Sequence, residues 1–438
     1  MLRYVCRGKA FFFQRDNLRF DRKSQRILLC DDKYSCLLGG LLSTAMLRQC
    51  LAVLAAVLAV LIGRFVVHFE VFKKLEEFPT FQKSQDQCRP VGSTASGSCE
   101  DFRFISDNIL IAGFESVNLA LDFGNDAPHS KHMVAVDLTT EKHRLIDLEG
   151  FPFDQYQFRP HGIDYKAPDR LFVVNHANDG VERVEVFEVS GQGALDTVKL
   201  KWIKAVTPPV PKLAMNSVTA VSPNEIYVTH WLPVDIPKGG MGHPKTPPEI
   251  ANVVYNYGLL LGGRALGLPH FVGGKTSVYR CLVDKNQCEL AFPGFVSSNG
   301  ITSTPDGKFV FVVDCVRQFL AVFKRDTDTG KLTLAKSIDM IHTGDNIMVG
   351  SAKNGKYELW VGTIPDLNKY LAKNKMLPGG LILITFDPRD LSLVVKDEFL
   401  HDGSKLEGVA TAAKWRGKVL LGSPKKGGGI LICEPNKP

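Results

Sequence analysis

The residues of this chain best suited to chemistry recur at the heads of short strands. Glu100 opens "EDFRFISDNILIAG", His161 opens "HGIDYKAPDRLFVVNH", Asn216 opens "NSVTAVSPNEIYVTH" and Asn299 opens "NGITSTPDGKFVFVVD". Asp345 and Asn346 open "DNIMVGSAKNGKYELWVG", and Glu407 with Gly408 opens "EGVATAAKWRGKVLLGSP". Glu, Asn and Asp carry hard oxygen donors, and a group of them at one point is what Ca²⁺ requires. A lone Asn or Asp in such a place caps a turn just as well. The same residue types at the same place in several units favour the ligand reading.

Each unit that carries these residues reads as polar head, short strand, turn and apolar strand. Pro305-Asp306-Gly307 is the clearest turn, set between two runs of high β propensity. Six such units, unevenly spaced from Glu100 to the C-terminus, predict an all-β six-bladed propeller. Its innermost strands would start around one channel, so their heads would converge there on a central calcium site. The propeller domain is expected over residues 88–438, a length that propellers reach without splitting.

The region before it is of another kind. Residues 1–45 form a basic extension, which supplies much of the formal net charge of +7. No aromatic-interleaved basic patch or nucleic-acid motif is present, so a nucleic-acid partner is not expected. Residues 46–69 contain "CLAVLAAVLAVLIG" and approach a bilayer-spanning length if Arg64 snorkels to the headgroups. No small-residue cleavage site follows, which predicts an uncleaved transmembrane signal-anchor helix, with residues 70–87 as a linker. The preceding Lys and Arg excess puts the N-terminus in the cytosol and the propeller in the lumen or outside, at the endoplasmic reticulum or plasma membrane. On that oxidising side lie Cys88, Cys99, Cys281, Cys288, Cys315 and Cys433. Cys88 and Cys433, if paired, would tie the ends of the ring, and Cys281 could face Cys288 across a hairpin. Cys99 and Cys315 stay open between pairing and buried free thiols.

"EDFRF", "RPHGI", "LFVVNH", "SSNGITSTPDGKFVFVVD", "GDNI" and "GKVLLG" occur in an order and spacing that resembles the paraoxonases, calcium-dependent esterases and lactonases built on a six-bladed propeller. The resemblance covers about Met46 to Cys433, and leaves the residues before Met46 as an extension or a misassigned start. It implies a catalytic calcium held by Glu100, Asn216, Asn299, Asp345 and Asn346. An ion with an open position there would polarise a substrate carbonyl and stabilise the developing oxyanion. It also implies a His161 and His176 dyad that activates and orients water, and a Cys88–Cys433 disulfide. A second, structural calcium is implied at Asp101 and the backbone of Ile163. Two departures stand out: Ser217 and Trp231 each occupy a place where the resemblance expects an aspartate. The first weakens the second ion site, and the second removes a polar group from the pocket. Residues Pro247 to Leu268 match the position of the family's membrane-associating lid helix. The resulting expectation is a membrane-anchored, calcium-dependent hydrolase of small aryl esters or lactones. The alternative is a non-enzymatic endoplasmic-reticulum chaperone for degenerin-type channels, with a client membrane protein as partner, as in a nematode paraoxonase-like subgroup.

Overall fold

The computed structural model describes residues 88–91, 98–115, 131–211, 214–232, 270–271, 274–340, 342–365, 377–423 and 429–435, together with five short strands within residues 3–38. The chain divides into two units, Met1–Glu76 and Glu77–Pro438. In the first unit Arg3–Cys6 pairs antiparallel with Lys9–Phe12. Leu18–Asp21, Arg26–Asp31 and Ser35–Leu38 form a separate three-stranded antiparallel sheet. The expected membrane span at residues 46–69 and the expected lid helix from Pro247 to Leu268 lie outside the described residues. Among the described residues no helix is long and apolar enough to cross a membrane.

The second unit is all-β and propeller-like. Three sheets are antiparallel meanders of four strands: one runs from Met215–Ser222 to Gln287–Phe295, the next from Ser298–Ser303 to Leu332–Asp339, and the third from Gly344–Lys353 to Ser392–His401. A larger eight-stranded sheet consists of two such meanders, Ser98–Phe104 to Lys142–Glu149 and Pro160–Lys166 to Lys199–Val206. They join through one short parallel pairing, Leu148 with Leu200 and Glu149 with Lys201. The last sheet takes Thr411–Trp415, Lys418–Gly422 and Ile430–Cys433 from the C-terminal end and completes itself with Cys88–Val91 from the start of the unit. In that closing pair Cys433 lies opposite Cys88, and the two form a disulfide. Cys281 and Cys288 are likewise register partners and disulfide-bonded. Cys99 and Cys315 are buried free thiols.

The sequence pattern explains which strands lie inside. "SCEDFRF" is buried along nearly all its length, whereas the outermost strand of that meander, "KHRLIDLE", alternates and exposes its charged side chains. Strands buried on both faces need apolar or internally paired residues at every position, and the alternating ones face water on one side. Packed rings fill the gaps between sheets: Phe295 and Phe319 stack at 5.9 Å between centroids, and Phe311 meets Phe386 edge-on at 5.0 Å. The expected Pro305-Asp306-Gly307 turn is present. Asp306 Oδ1 accepts the Lys308 amide at 3.1 Å, and Gly307 adopts a φ of +67°.

Candidate active site

The first strand of each meander packs against the first strand of the next: Ser98–Phe104 on Pro160–Lys166, then Met215–Ser222, Ser298–Ser303, Gly344–Lys353 and Thr411–Trp415, which returns to Ser98–Phe104. Five of these six strands break register at the polar head. The shifts fall between Cys99 and Asp101, Pro160 and Ile163, Met215 and Val218, Ser298 and Ile301, and Gly344 and Ile347. Each interval contains the residue singled out from the sequence. A bulge re-aims a side chain that regular pairing would hold on one face. Here it turns Glu100, His161, Asn216, Asn299, Asp345 and Asn346 out of the ladders. The sixth strand has no such shift, and near its start the Glu407 carbonyl accepts the Ser423 hydroxyl at 2.6 Å.

The heads meet. Asn346 Nδ2 donates to the Glu100 carbonyl at 2.9 Å and lies 3.4 Å from Glu100 Oε1. His161 Nε2 is 3.7 Å from the same carboxylate oxygen and 3.2 Å from Asn216 Nδ2. Thr229 Oγ1 donates to the Asn299 carbonyl at 2.5 Å, which fixes the Asn299 backbone. Two glycines permit the close approach of neighbouring strands. A Cβ on Gly162 would lie 2.4 Å from the Asn216 carbonyl oxygen, and one on Gly300 would lie 2.3 Å from that of Asp345.

Four oxygens in this cluster, the Oδ1 atoms of Asn216, Asn299, Asp345 and Asn346, are buried with no hydrogen-bond partner. A buried polar atom left unsatisfied costs about 1–3 kcal/mol, so four together call for a shared partner. Burial pushes the Asp345 carboxyl up to about 7, opposed by the Asn299 amide and reinforced by Asp101. A cation beside it would hold it ionised. Among the described residues no three His, Cys, Asp or Glu side chains gather as metal ligands. The set is instead three amides and two carboxylates, all oxygen donors, and such a set fits a hard divalent ion. The predicted second ion site is different. Asp101 Oδ2 accepts the Ile163 amide at 3.0 Å, and its Oδ1 accepts Phe102 N at 2.9 Å, the Thr411 hydroxyl at 3.0 Å and the Arg103 guanidinium. Asp101 meets Ile163 through the Ile163 amide, and its carboxylate is engaged by protein donors in place of an ion.

The two histidines are neighbours, with ring centroids 4.9 Å apart. Burial, and then the charge of His176, holds His161 well below the ordinary imidazole value, so it is neutral near pH 7. His176 Nδ1 lies 2.8 Å from Glu182 Oε2, which also accepts the Met215 amide at 3.1 Å. Glu182 is buried and stands opposite His176 across the hairpin. Sequence reasoning missed it. The available signal was a Glu just past the Asn178-Asp179-Gly180 turn, where it faces back across the strands. Burial pushes the Cys315 thiol up to about 12, which removes it as a thiolate nucleophile at neutral pH.

Residues 274–434 match the Arylesterase family model. The chain is 25% identical over 346 residues to human "Serum paraoxonase/arylesterase 2", covering 77% of this chain and 86% of that protein. It is 27% identical over 330 residues to rabbit (Oryctolagus cuniculus) "Serum paraoxonase/lactonase 3", covering 72% and 82%. With the mouse (Mus musculus) "Serum paraoxonase/lactonase 3" the identity is 25% over 402 residues, covering 88% and 97%. The chain is thus similar, at about a quarter identity, to serum paraoxonases and arylesterases. The Ser217 hydroxyl is buried without a partner, and Trp231 is held by its backbone, its amide donating to Ala214 O at 2.8 Å.

Proposed function

We propose that the chain is a membrane-anchored, calcium-dependent hydrolase of aryl esters or lactones built on a six-bladed propeller, each half of the eight-stranded sheet counting as one blade. The observation that carries this reading is the convergence of the four orphaned oxygens of Asn216, Asn299, Asp345 and Asn346 beside Glu100 and a neutral imidazole. Glu100, Asn216, Asn299, Asp345 and Asn346 would hold one calcium. The bound ion would supply Lewis-acid polarisation of the substrate carbonyl. His161 is the residue placed to accept a proton from the attacking water, since only a neutral imidazole can do so. His176 stands beside it, and Glu182 holds the His176 ring through Nδ1, fixing its tautomer and orientation.

The second reading, a non-enzymatic assembly factor for a client membrane protein, draws support from Ser217 and Trp231, at each of which the resemblance expects an aspartate. One experiment separates the two. The full chain, purified in detergent, is assayed on phenyl acetate and on an aliphatic lactone, with calcium and with chelator, beside His161→Gln. Hydrolysis predicts calcium-dependent turnover that falls about 10² to 10⁴-fold in the variant. Absence of turnover in the wild type on both substrates overturns the enzyme reading and leaves the assembly reading. Wild-type activity unchanged in His161→Gln overturns the assignment of the base.

A further inference from the structure

The carboxylate of Asp101 already has a cation. Arg103, two residues along the same strand, is buried and turns its guanidinium into the ring. Nη1 donates to Asp101 Oδ1 and, at 2.9 Å, to the Phe102 carbonyl. Nη2 donates to the Ile347 carbonyl at 3.3 Å, and Nε lies 3.4 Å from Asp164 Oδ1. Each carboxylate is tied onward: Asp101 to Thr411 Oγ1 at 3.0 Å, and Asp164 Oδ2 to the Ala220 amide at 2.7 Å and Thr219 Oγ1 at 3.2 Å. One guanidinium and its two partners thus bridge five of the six inner strands.

We propose that Arg103 is a built-in cation that takes the second ion position of the ring, so that no divalent ion binds there. Three observations support it. Asp101 has accepted four protein donors and has little capacity left for an ion. The position that would add a third carboxylate is Ser217. A cavity of about 420 Å³ lined by Arg103, Asp164, Thr219 and Ser303 reaches the guanidinium, so the resident charge meets any ion that enters from that side. A fixed planar fork suits paired carboxylates, and it cannot be chelated away. The inner strands are therefore held at this level whether or not calcium is present.

The test counts bound calcium per chain on the full chain in detergent, by equilibrium dialysis with elemental analysis. Wild type and Ser217→Asp should hold the same number, one, and the double variant Arg103→Gln with Ser217→Asp should hold one more. Two ions on the wild type, or a gain in Ser217→Asp alone, overturns the proposal. A folded double variant that gains none overturns the claim that the guanidinium keeps the ion out. Failure of the reading of the central set looks different: the wild type then holds none, while a double variant rising to one still supports Arg103. If the double variant does not fold, the counts on wild type and Ser217→Asp decide.

Discussion

Gly300→Ala is the sharpest probe of how the fold builds the site. The new Cβ would sit 2.3 Å from the Asp345 carbonyl oxygen and 2.8 Å from both Asn346 Cα and Ile347 N. Favourable contacts between carbon atoms lie at about 3.5–4.0 Å, so the neighbouring inner strand has to move by more than 1 Å. All three atoms are backbone, which no rotamer change relieves. Overpacking costs typically about 1–3 kcal/mol, and a rigid backbone neighbour puts this case near 3. Spread over the unfolding entropy of the unit Glu77–Pro438, that lowers Tm by about 4 °C in chelator. The same shift parts Asn299 from Asp345 and Asn346, so the calcium-induced rise in Tm shrinks too. A tenfold loss of affinity removes about 1.4 kcal/mol, or a further 2 °C, at saturating calcium. Differential scanning calorimetry with and without calcium measures both parts. Gly193→Ala is the control: nothing lies within 4 Å of its Cβ, and its midpoint should stay within about 1 °C. A Gly300→Ala midpoint equal to wild type in both conditions would show that the ligand pair does not depend on this close approach.

Other expectations follow from single groups. Glu182→Gln keeps the shape but removes the carboxylate 2.8 Å from His176 Nδ1; kcat should fall by about 10²-fold with KM little changed and the calcium-induced Tm shift intact, and an unchanged kcat would show that Glu182 does not position His176 for turnover. His230 is pushed down by burial to about 4, while the unfolded residue takes up its proton near 6.5. Its contribution is therefore complete above pH 6.5 and is lost as pH falls from there towards 4, by about 3 kcal/mol; His230→Gln should flatten that part of the stability profile, and an equal slope in the variant would count against it. Cys433→Ser opens a loop of 345 residues, so the reduced constraint should cost on the order of 5 kcal/mol by chemical denaturation; a loss under 1 kcal/mol would show that strand pairing alone closes the ring.

Much of the site was legible because its residues announce themselves by repetition. Asn299-Gly300 and Asp345-Asn346 precede β-rich runs, and the bulges found there are the structural form of a polar head that does not fit the strand pattern after it. Asp101 was also legible, but its partner was not. "EDFRF" reads equally as a strand with an exposed arginine, because alternation alone cannot say that both faces of an inner strand are covered. Glu182 was hidden for another reason: its bond to His176 depends on the register across the hairpin, one residue of which decides whether the carboxylate faces the imidazole or the opposite side.

By itself the sequence determined the class of elements, the turn positions, the chemical types of the strand heads and the pairing of Cys88 with Cys433, since these rest on local propensity, composition and resemblance. Only the tertiary structure decided which of those polar groups share one space. It gathered five heads through register breaks, left the sixth strand in regular pairing, and gave Asp101 an arginine where an ion was expected. Those outcomes depend on distances of a few ångströms between strands far apart in the chain, and burial then multiplies their consequences: an unpaired oxygen or charge that water would tolerate must find a partner inside the ring.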